Sequence, residues 1–221
     1  MRMFQQIAMA LALGVTATPA FATLIVNGDF EAGNTGFTSS YTYVTPTAGT
    51  LVPPAVYTVG TNPRDSHGSF YSMGDHTTGS GQFMIINGST TTGIPVWEGS
   101  ASIALTIGAQ YDFSAWVASV HPTSPAVLTF MVGSSVLGTL SPDSDGSWKR
   151  LFATFTATEA NPVFKLLNSN PAFGGNDFAI DDLDLFVPGT TTHPTPDGGA
   201  GLLGLMTLIS LCGAAALRKK A

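Results

Sequence analysis

The chain contains very little cysteine and few cationic side chains. Cys212 is the single cysteine among 221 residues, and it lies inside the C-terminal apolar run. The rest of the chain therefore has neither disulfides nor thiol chemistry. The 14 acidic residues outnumber the 8 basic ones, and all of the acids lie between Asp29 and Asp197. This imbalance disfavours nucleic acid and anionic membranes as partners; it is compatible with divalent cations, with neutral sugars, or with simple solubility outside the cell.

The common catalytic signatures are also missing. Between residues 23 and 187 the sequence has no Gly-x-Ser-x-Gly nucleophile motif, no phosphate-binding Gly-Lys-Ser/Thr loop and no dinucleotide-binding glycine pattern. His67, His76, His121 and His193 lack the spacing of a metal site. Because the paired carboxylates of a glycosidase are brought together only by the fold, a glycoside-active enzyme is kept as the less favoured alternative. The sequence predicts a protein that is not an enzyme.

Long stretches of helical periodicity are absent between residues 23 and 187. Gly, Thr, Ser and Pro interrupt this region about every 8 to 12 residues, which is the spacing of β-sandwich strands. Tyr111–Val117 alternates Tyr, Phe, Ala and Val on one face with Asp, Ser and Trp on the other. We predict one all-β domain over residues 23–187, an antiparallel β-sandwich. The expected strands are Leu24–Val26, Phe37–Val44, Tyr57–Val59, Gln82–Asn87, Ala101–Thr106, Gln110–Ser119, Val127–Val132, Ser135–Leu140, Lys149–Thr156, Val163–Asn168 and Phe178–Phe186.

Apolar segments lie at both ends of the chain. Arg2, an apolar stretch and the site Ala20-Phe21-Ala22 predict a secretory signal peptide over residues 1–22. After a Thr/Pro-rich linker with a terminal motif (188–198), the uncharged run 199–217 has about 19 residues, enough for one transmembrane helix. The basic tail 218–221 would stay in the cytoplasm. The residues that define this end are Pro196, Asp197, Gly198, Gly199, Arg218, Lys219 and Lys220.

This C-terminal arrangement resembles the PEP-CTERM sorting tail of Gram-negative exopolysaccharide-producing bacteria, in its Val-Pro-Asp-(Ser/Gly)-Gly variant. Thr195 stands in place of the usual Val, and Asp197 in place of the Glu of the main subfamily. The resemblance implies an exosortase as partner, and an exported protein that passes from an inner-membrane-anchored precursor to the cell surface or the exterior. An ordinary single-span anchor has the same sequence properties and is the alternative.

Four motifs in the exported part, taken in order, resemble the galactose-binding-like jelly roll of carbohydrate-binding modules. They lie at residues 27–31, 111–116, 145–156 and 175–183. The segments 74–79 and 175–178 are similar to PEP-CTERM surface proteins. The resemblance implies a jelly roll that binds extracellular polysaccharide. A structural envelope or biofilm-matrix protein without a small ligand is the alternative.

In such jelly rolls a structural Ca²⁺ often joins the first and last strands. The resemblance implies Glu31 as one ligand and Asp181 or Asp182 as another, with carbonyl groups around Asn27 and Asp29. Adjacent carboxylates in a regular strand point to opposite sides, so either a bulge occurs at Asp181-Asp182 or only one of them binds. Capped turns and solvated acids without metal are the alternative.

Aromatic residues allow two interpretations, because sugar-binding modules stack rings on exposed aromatics while protein cores use the same residues as bulk. Trp148 follows a turn and is predicted to be structural. The remaining candidates for ligand contact are Trp97, Trp116, Tyr41, Tyr43 and, within the Asp-His-Thr motif, His76.

Overall fold

A computed structural model describes residues 23–99 and 103–188 of the chain. The predicted signal peptide, sorting motif, transmembrane segment and basic tail lie outside these residues, as does nearly all of the linker. In the part that is described, no helix is long and apolar enough to cross a membrane.

Two β-sheets face each other to form a sandwich, which confirms the expected all-β class. The elements are β1 (Phe37–Thr38), β2 (Thr42–Tyr43), β3 (Val56–Gly60), α1 (Pro63–Ser66), β4 (Phe83–Asn87), β5 (Pro95–Gly99), β6 (Gln110–Ser119), β7 (Leu128–Val132), β8 (Ser135–Leu140), β9 (Lys149–Thr156), β10 (Phe164–Asn168) and β11 (Phe178–Phe186). One sheet has the order β1-β5-β10-β7-β8, and the other β2-β3-β4-β11-β6-β9. Only the pairing of β2 with β3 is parallel among the described strands.

The main core lies between the two sheets, as the alternation in β6 predicts. Phe113 of β6 packs against Phe164 of β10, with ring centroids 5.9 Å apart, and against Phe130 of β7 at 5.6 Å. A second, smaller cluster covers part of the outer face of the six-stranded sheet. In β4, Met84 and Ile86 belong to the main core while their neighbours Phe83 and Ile85 belong to the second cluster. β4 is therefore apolar on both faces.

The predicted strand bounds match the structure for β6, β8, β9 and β11. The expected strand Phe37–Val44 is wrong as a single element, because the chain leaves one sheet after β1 and enters the other at β2. Ser39 lies at this crossing: its hydroxyl donates to the Val96 carbonyl and accepts from the Tyr41 N–H. A polar side chain thus supplies hydrogen bonds where the ladder is interrupted.

Two other strand predictions are wrong, and one strand was missed. Leu24–Val26 forms turns instead of a strand, and residues 103–106 of the expected strand Ala101–Thr106 are irregular. The missed strand is β5, which begins with Pro95 and ends with Gly99. Proline and glycine usually indicate a turn, so the sequence did not predict this strand, which lies between β1 and β10.

The N-terminal segment nevertheless contacts the closing strand, as the jelly-roll resemblance implied. The Leu24 N–H donates to the Leu185 carbonyl at 2.9 Å, and the Leu183 N–H donates to the Gly28 carbonyl at 2.9 Å. A Cβ atom added at Gly28 would lie 2.0 Å from the Leu183 carbonyl oxygen. Glycine at position 28 is therefore required for this close approach of two backbones.

We expect Gly28→Ala to lower the free energy of unfolding by about 1–3 kcal/mol, because the added methyl group collides with backbone that cannot move aside. Thermal unfolding of the variant measures the loss. Gly68→Ala is the matched control, since an added Cβ there has no neighbouring atom within 4 Å. Equal melting temperatures for both variants would contradict the proposed packing of Gly28 against β11.

Candidate functional site

An acidic pocket of about 240 Å³ lies where the N-terminal loop meets β11. Three separate parts of the chain form it: the loop after Gly28, the loop before β4, and the middle of β11. Its lining is made of carboxylates and hydroxyls, namely Asp29, Glu31, Asp75, Thr77, Thr78, Asp181 and Asp182. The pocket therefore brings together four of the five residues expected to surround Ca²⁺.

A β-bulge in β11 explains how two adjacent acids reach one pocket. Asp181 pairs with Trp116 of β6, but the next pair joins Asp184 to Ser114, so the register shifts between them. Asp182 has a φ of 46°, in the left-handed region that few non-glycine residues adopt. Of the two expected arrangements, the structure shows the bulge.

The two acids of the bulge are held by the segment Asp75-His76-Thr77. The His76 backbone N–H donates to Asp181 Oδ2 at 2.9 Å. The His76 ring places Nδ1 2.6 Å from Asp182 Oδ2, and the Thr77 hydroxyl donates to the same oxygen. These contacts fix both carboxylates from the side of the loop before β4.

Asp75 organises that loop from within. Its two carboxylate oxygens accept from the backbone N–H groups of Thr78 and Gly81, both at 2.8 Å, and from the Thr78 hydroxyl. Burial opposes the charged form of Asp75, but these hydrogen bonds prevail and lower the pKa of this carboxyl below its ordinary value. Asp75 therefore carries a negative charge at neutral pH.

Asp181 shows the opposite behaviour. Burial, followed by the neighbouring charge of Asp182, raises the pKa of Asp181 to about 8. Within the described residues the Lys and Arg ion pairs join Lys149 to Asp143 and Lys165 to Glu98, and neither involves this pocket. Among the described residues no Lys or Arg lines the pocket or is ion-paired with its acids, although Arg150 acts electrostatically on the neighbouring Asp184. Such a concentration of carboxylates favours a bound cation.

The N-terminal loop brings Glu31 to the pocket. Glu31 Oε1 accepts from the Gln82 backbone N–H at 2.9 Å, and the Gln82 side chain donates to the Glu31 carbonyl. The side chain of Asn27 holds the N-terminal loop together by hydrogen bonds. Its amide donates to the carbonyls of Gly33 and Thr35, and its oxygen accepts from the Ala32 N–H. Asn27 does not line the pocket, and its backbone carbonyl accepts from Phe30 N–H. Its side chain positions the loop, and the role of carbonyl groups around Asn27 as metal ligands stays a prediction.

The side chains that line the pocket fit Ca²⁺ in kind, since they offer carboxylate and hydroxyl oxygens. In residues 23–99 and 103–188, however, no three His, Cys, Asp or Glu side chains are arranged so that they could hold a metal ion together. A Ca²⁺ here would thus be bound by no more than two of the pocket's carboxylates at once, and the other ligands would have to be hydroxyl or carbonyl oxygens.

Two of the aromatic residues expected to contact a ligand lie in the core instead. Trp97 is 1% exposed and Tyr41 is 5% exposed. Trp97 is the largest fully buried side chain, and the Tyr41 hydroxyl accepts from the Ser89 N–H. Neither residue can present its ring to a sugar without unfolding, so the interpretation of these two as binding residues is corrected.

Trp116 and His76 cover each other. Their rings stack with centroids 3.6 Å apart and planes inclined by 19°. Trp148 packs edge-on against His76 and donates from Nε1 to the Gly74 carbonyl, in agreement with its predicted structural role. The group therefore fixes the loop before β4 on the outer face of β6.

Tyr43 remains accessible at 38% exposure, with its ring 5.5 Å from that of Tyr57.

Sequence reasoning missed three pocket residues: Asp75, Thr77 and Thr78. Within the motif from Gly74 to Gly79, the sequence predicts only His76 as a candidate for ligand contact. The available signal was an acid followed two and three residues later by hydroxyls, which is typical of a side chain that caps its own loop.

Comparisons with known proteins give a structural likeness only. No family model matches the chain. The search of curated proteins also found no match. Among solved structures, an arabinose-bound α-L-arabinofuranosidase, MgGH51, is 13% identical with a TM-score of 0.52, covering 76% of this chain and 26% of the enzyme. The CBM22-1 xylan-binding domain of Paenibacillus barcinonensis Xyn10C is 14% identical with a TM-score of 0.46, covering 77% of this chain and 97% of that domain.

A further similar structure is the sugar-binding EclA C-terminal domain, which is 19% identical with a TM-score of 0.38 and covers 41% of this chain. This chain spans 66% of the EclA domain and about a quarter of the arabinofuranosidase. The likeness to part of the arabinofuranosidase concerns the fold alone. The described chain is thus a two-sheet β-sandwich of a kind also found within a larger carbohydrate-active protein.

Proposed function

We propose that this protein is an exported, non-catalytic carbohydrate-binding module whose jelly roll is stabilised by Ca²⁺. The observation that carries the proposal is the acidic pocket. The sequence resemblance to carbohydrate-binding jelly rolls implied that Glu31 and the acids of the closing strand would meet there, and the structure has Glu31, Asp181 and Asp182 in one pocket. Similar structures named as xylan-binding and sugar-binding domains agree with the proposal.

A glycan array probed with the full-length protein, once with CaCl₂ and once with a chelator, tests the binding function. We expect retention on neutral polysaccharides, with weaker binding after chelation because the loops lose their fixed positions. Binding to no glycan under either condition would favour the alternative, a structural matrix protein without a small ligand.

Calcium should raise the melting temperature of the protein. A ligand that binds only the folded state stabilises it by about 2.7 kcal/mol at a hundredfold excess over Kd, which for a domain of this size corresponds to a shift of about 5–11 °C. Glu31→Gln removes a charged ligand while keeping its size, so we expect this variant to lose most of the shift. Thermal unfolding with CaCl₂ and with chelator measures both effects.

Glu98→Gln provides the matched control for this test. Glu98 lies in β5 of the other sheet, 3.8 Å from Lys165 Nζ, and takes no part in the acidic pocket. Its substitution should leave the response to calcium intact. An unchanged melting temperature of the unsubstituted protein after chelation would show that no calcium is bound.

For the C-terminal region we propose sorting by an exosortase. The support is the sequence alone: Pro196 to Gly199 precede the apolar run, and Arg218 to Lys220 follow it. Proline and the two glycines disfavour helix, so the motif would be an extended peptide accessible to a membrane-embedded enzyme.

Replacing Pro196-Asp197-Gly198 by three alanines should therefore keep the precursor in the membrane of a host that carries an exosortase. The melting temperature of the β-sandwich should not change. Immunoblots of membrane and extracellular fractions follow the processing. Release of a shortened product in unaltered amounts would identify the segment as an ordinary linker and the tail as a plain anchor.

A further inference from the structure

A second cleft, of about 350 Å³, lies among loops at one end of the six-stranded sheet. It is bordered by the loop before β3, the turn after α1, the C-terminal ends of β4 and β6, and the loop before β11. These parts meet because β3 and β11 run antiparallel to β4, and β11 antiparallel to β6. The residues predicted from sequence to contact a ligand do not line it.

The rim of this cleft carries the most exposed large apolar side chain in the described part of the chain. Phe173 is 79% exposed, and Val52, on the opposite loop, is 49% exposed. Exposure of one apolar side chain is ordinary by itself, but an aromatic ring at the rim of a cleft is placed where it can stack on a bound ligand.

Hydrogen bonds brace the loop that carries Phe173. The Asn170 amide donates to the carbonyls of Ser124 and Pro125, and its oxygen accepts from the Ala172 N–H. On the other side of the ring, the Asn176 amide donates to the carbonyls of Asn170 and Ser89. The backbone around Phe173 is therefore ordered before any ligand arrives, which lowers the entropic cost of binding.

Two buried side chains in the wall of the cleft, Asp177 and Asn87, each have one oxygen atom that accepts no hydrogen bond from the described residues. Asp177 is 6% exposed; its Oδ1 accepts from the Gly88 N–H, while Oδ2 has no hydrogen-bond donor among the described residues. Asn87 is 8% exposed; its amide donates to the Leu51 carbonyl, while Oδ1 likewise has no donor within the described ranges. Both residues line the cleft. Both are suited to accept from hydroxyl groups.

The charges of the cleft favour a neutral ligand. No Lys or Arg is among its lining residues, so an anion would have no cationic partner there. Burial raises the pKa of Asp177 to about 7, so the carboxyl is partly protonated at neutral pH and can both accept and donate a hydrogen bond. The remaining titratable groups of the lining are His67 and His121, and burial lowers the pKa of His67. The His67 ring is therefore largely uncharged near neutral pH.

We propose that this loop-end cleft is the saccharide-binding site, in which Phe173 stacks on the apolar face of a neutral sugar while Asp177 and Asn87 bind its hydroxyl groups. A sugar ring offers this combination of an apolar face and a rim of hydroxyls. The volume lies near the lower end of the range for ligand pockets, about 300–1,000 Å³, and suits one or two sugar units. The inference rests on the proposed carbohydrate-binding function and supplies its site.

Nuclear magnetic resonance of the full-length protein tests the site directly. The probes are free D-xylose, D-glucose, D-galactose and D-mannose, with D-glucuronate as the charged comparison. The ring-proton signals of His67 and His121, assigned through His67→Asn and His121→Asn, report on the cleft. We expect at least one neutral sugar to shift these signals in a saturable way, and glucuronate to bind more weakly.

Phe173→Ala is the decisive variant, because its exposed ring contributes little to folding. We expect its affinity for the sugar to fall by about ten-fold or more with an unchanged melting temperature. Phe152→Ala is the matched control, since Phe152 is also an exposed aromatic, at 52%, but lies on β9 away from the cleft. Its affinity should equal that of the unsubstituted protein. Asp177→Asn keeps the acceptor for the Gly88 N–H and should weaken binding without unfolding the loop.

The outcomes separate this inference from the proposed function. Retention on the glycan array that survives Phe173→Ala and Asp177→Asn unchanged would overturn the cleft as the site and leave the binding function standing. Saturable shifts with free sugars, lost in Phe173→Ala, would support the cleft even if the array retained no polysaccharide. Absence of both signals would overturn the inference together with the proposed function.

Discussion

The position of β11 between β4 and β6 is the constraint on which both candidate sites depend. This strand pairs with β4 on one side and β6 on the other, so its position is fixed from both edges. The extra residue between Asp181 and Asp184 directs two acids to the N-terminal loop, where a regular strand would direct only one. Immediately before the strand, Asp177 reaches the loop-end cleft. One strand therefore sets the acidic pocket and one wall of the cleft.

The raised pKa values of three acids on or next to β11 show that this arrangement is electrostatically unfavourable. Burial raises the pKa of Asp181, of Asp184 and of Asp177, which means that the folded protein disfavours their charged forms. Four of the five pocket acids come from outside regular strand geometry, either from loops or from the left-handed residue Asp182. A divalent cation would relieve the repulsion among them. The Asp75 loop, with its own set of hydrogen bonds, keeps the pocket open from the other side.

Local patterns in the sequence predicted much of the sandwich. The alternation in β6 identified its core face, and the bounds of β8, β9 and β11 follow from turn residues on either side. For the pair Asp181-Asp182 the sequence left two alternatives, a bulge or binding by only one acid, because period-two geometry cannot place both side chains on one side. The roles of Trp97 and Tyr41 could not be predicted in this way. Their burial depends on which sheet β5 joins and on where the chain crosses after β1, and both are properties of long-range pairing.

The cleft was beyond sequence reasoning for a related reason. Its lining comes from segments between Val52 and Asp177. They meet only because β4 and β6 end, and β3 and β11 begin, at the same end of the six-stranded sheet. Phe173 lies in a segment rich in Asn, Pro and Gly, which reads as an ordinary loop. Its significance rests on exposure and on the braces of Asn170 and Asn176, which are visible only in three dimensions.

A crystal structure of the full-length protein, grown with CaCl₂ and soaked with the neutral oligosaccharide that the protein retains best, tests the account most directly. We expect an anomalous peak between Glu31 and Asp182, with six to eight oxygen ligands at about 2.3–2.6 Å. We also expect sugar density against the ring of Phe173. An acidic pocket without a peak, together with sugar density on another face of the sandwich, would contradict the account.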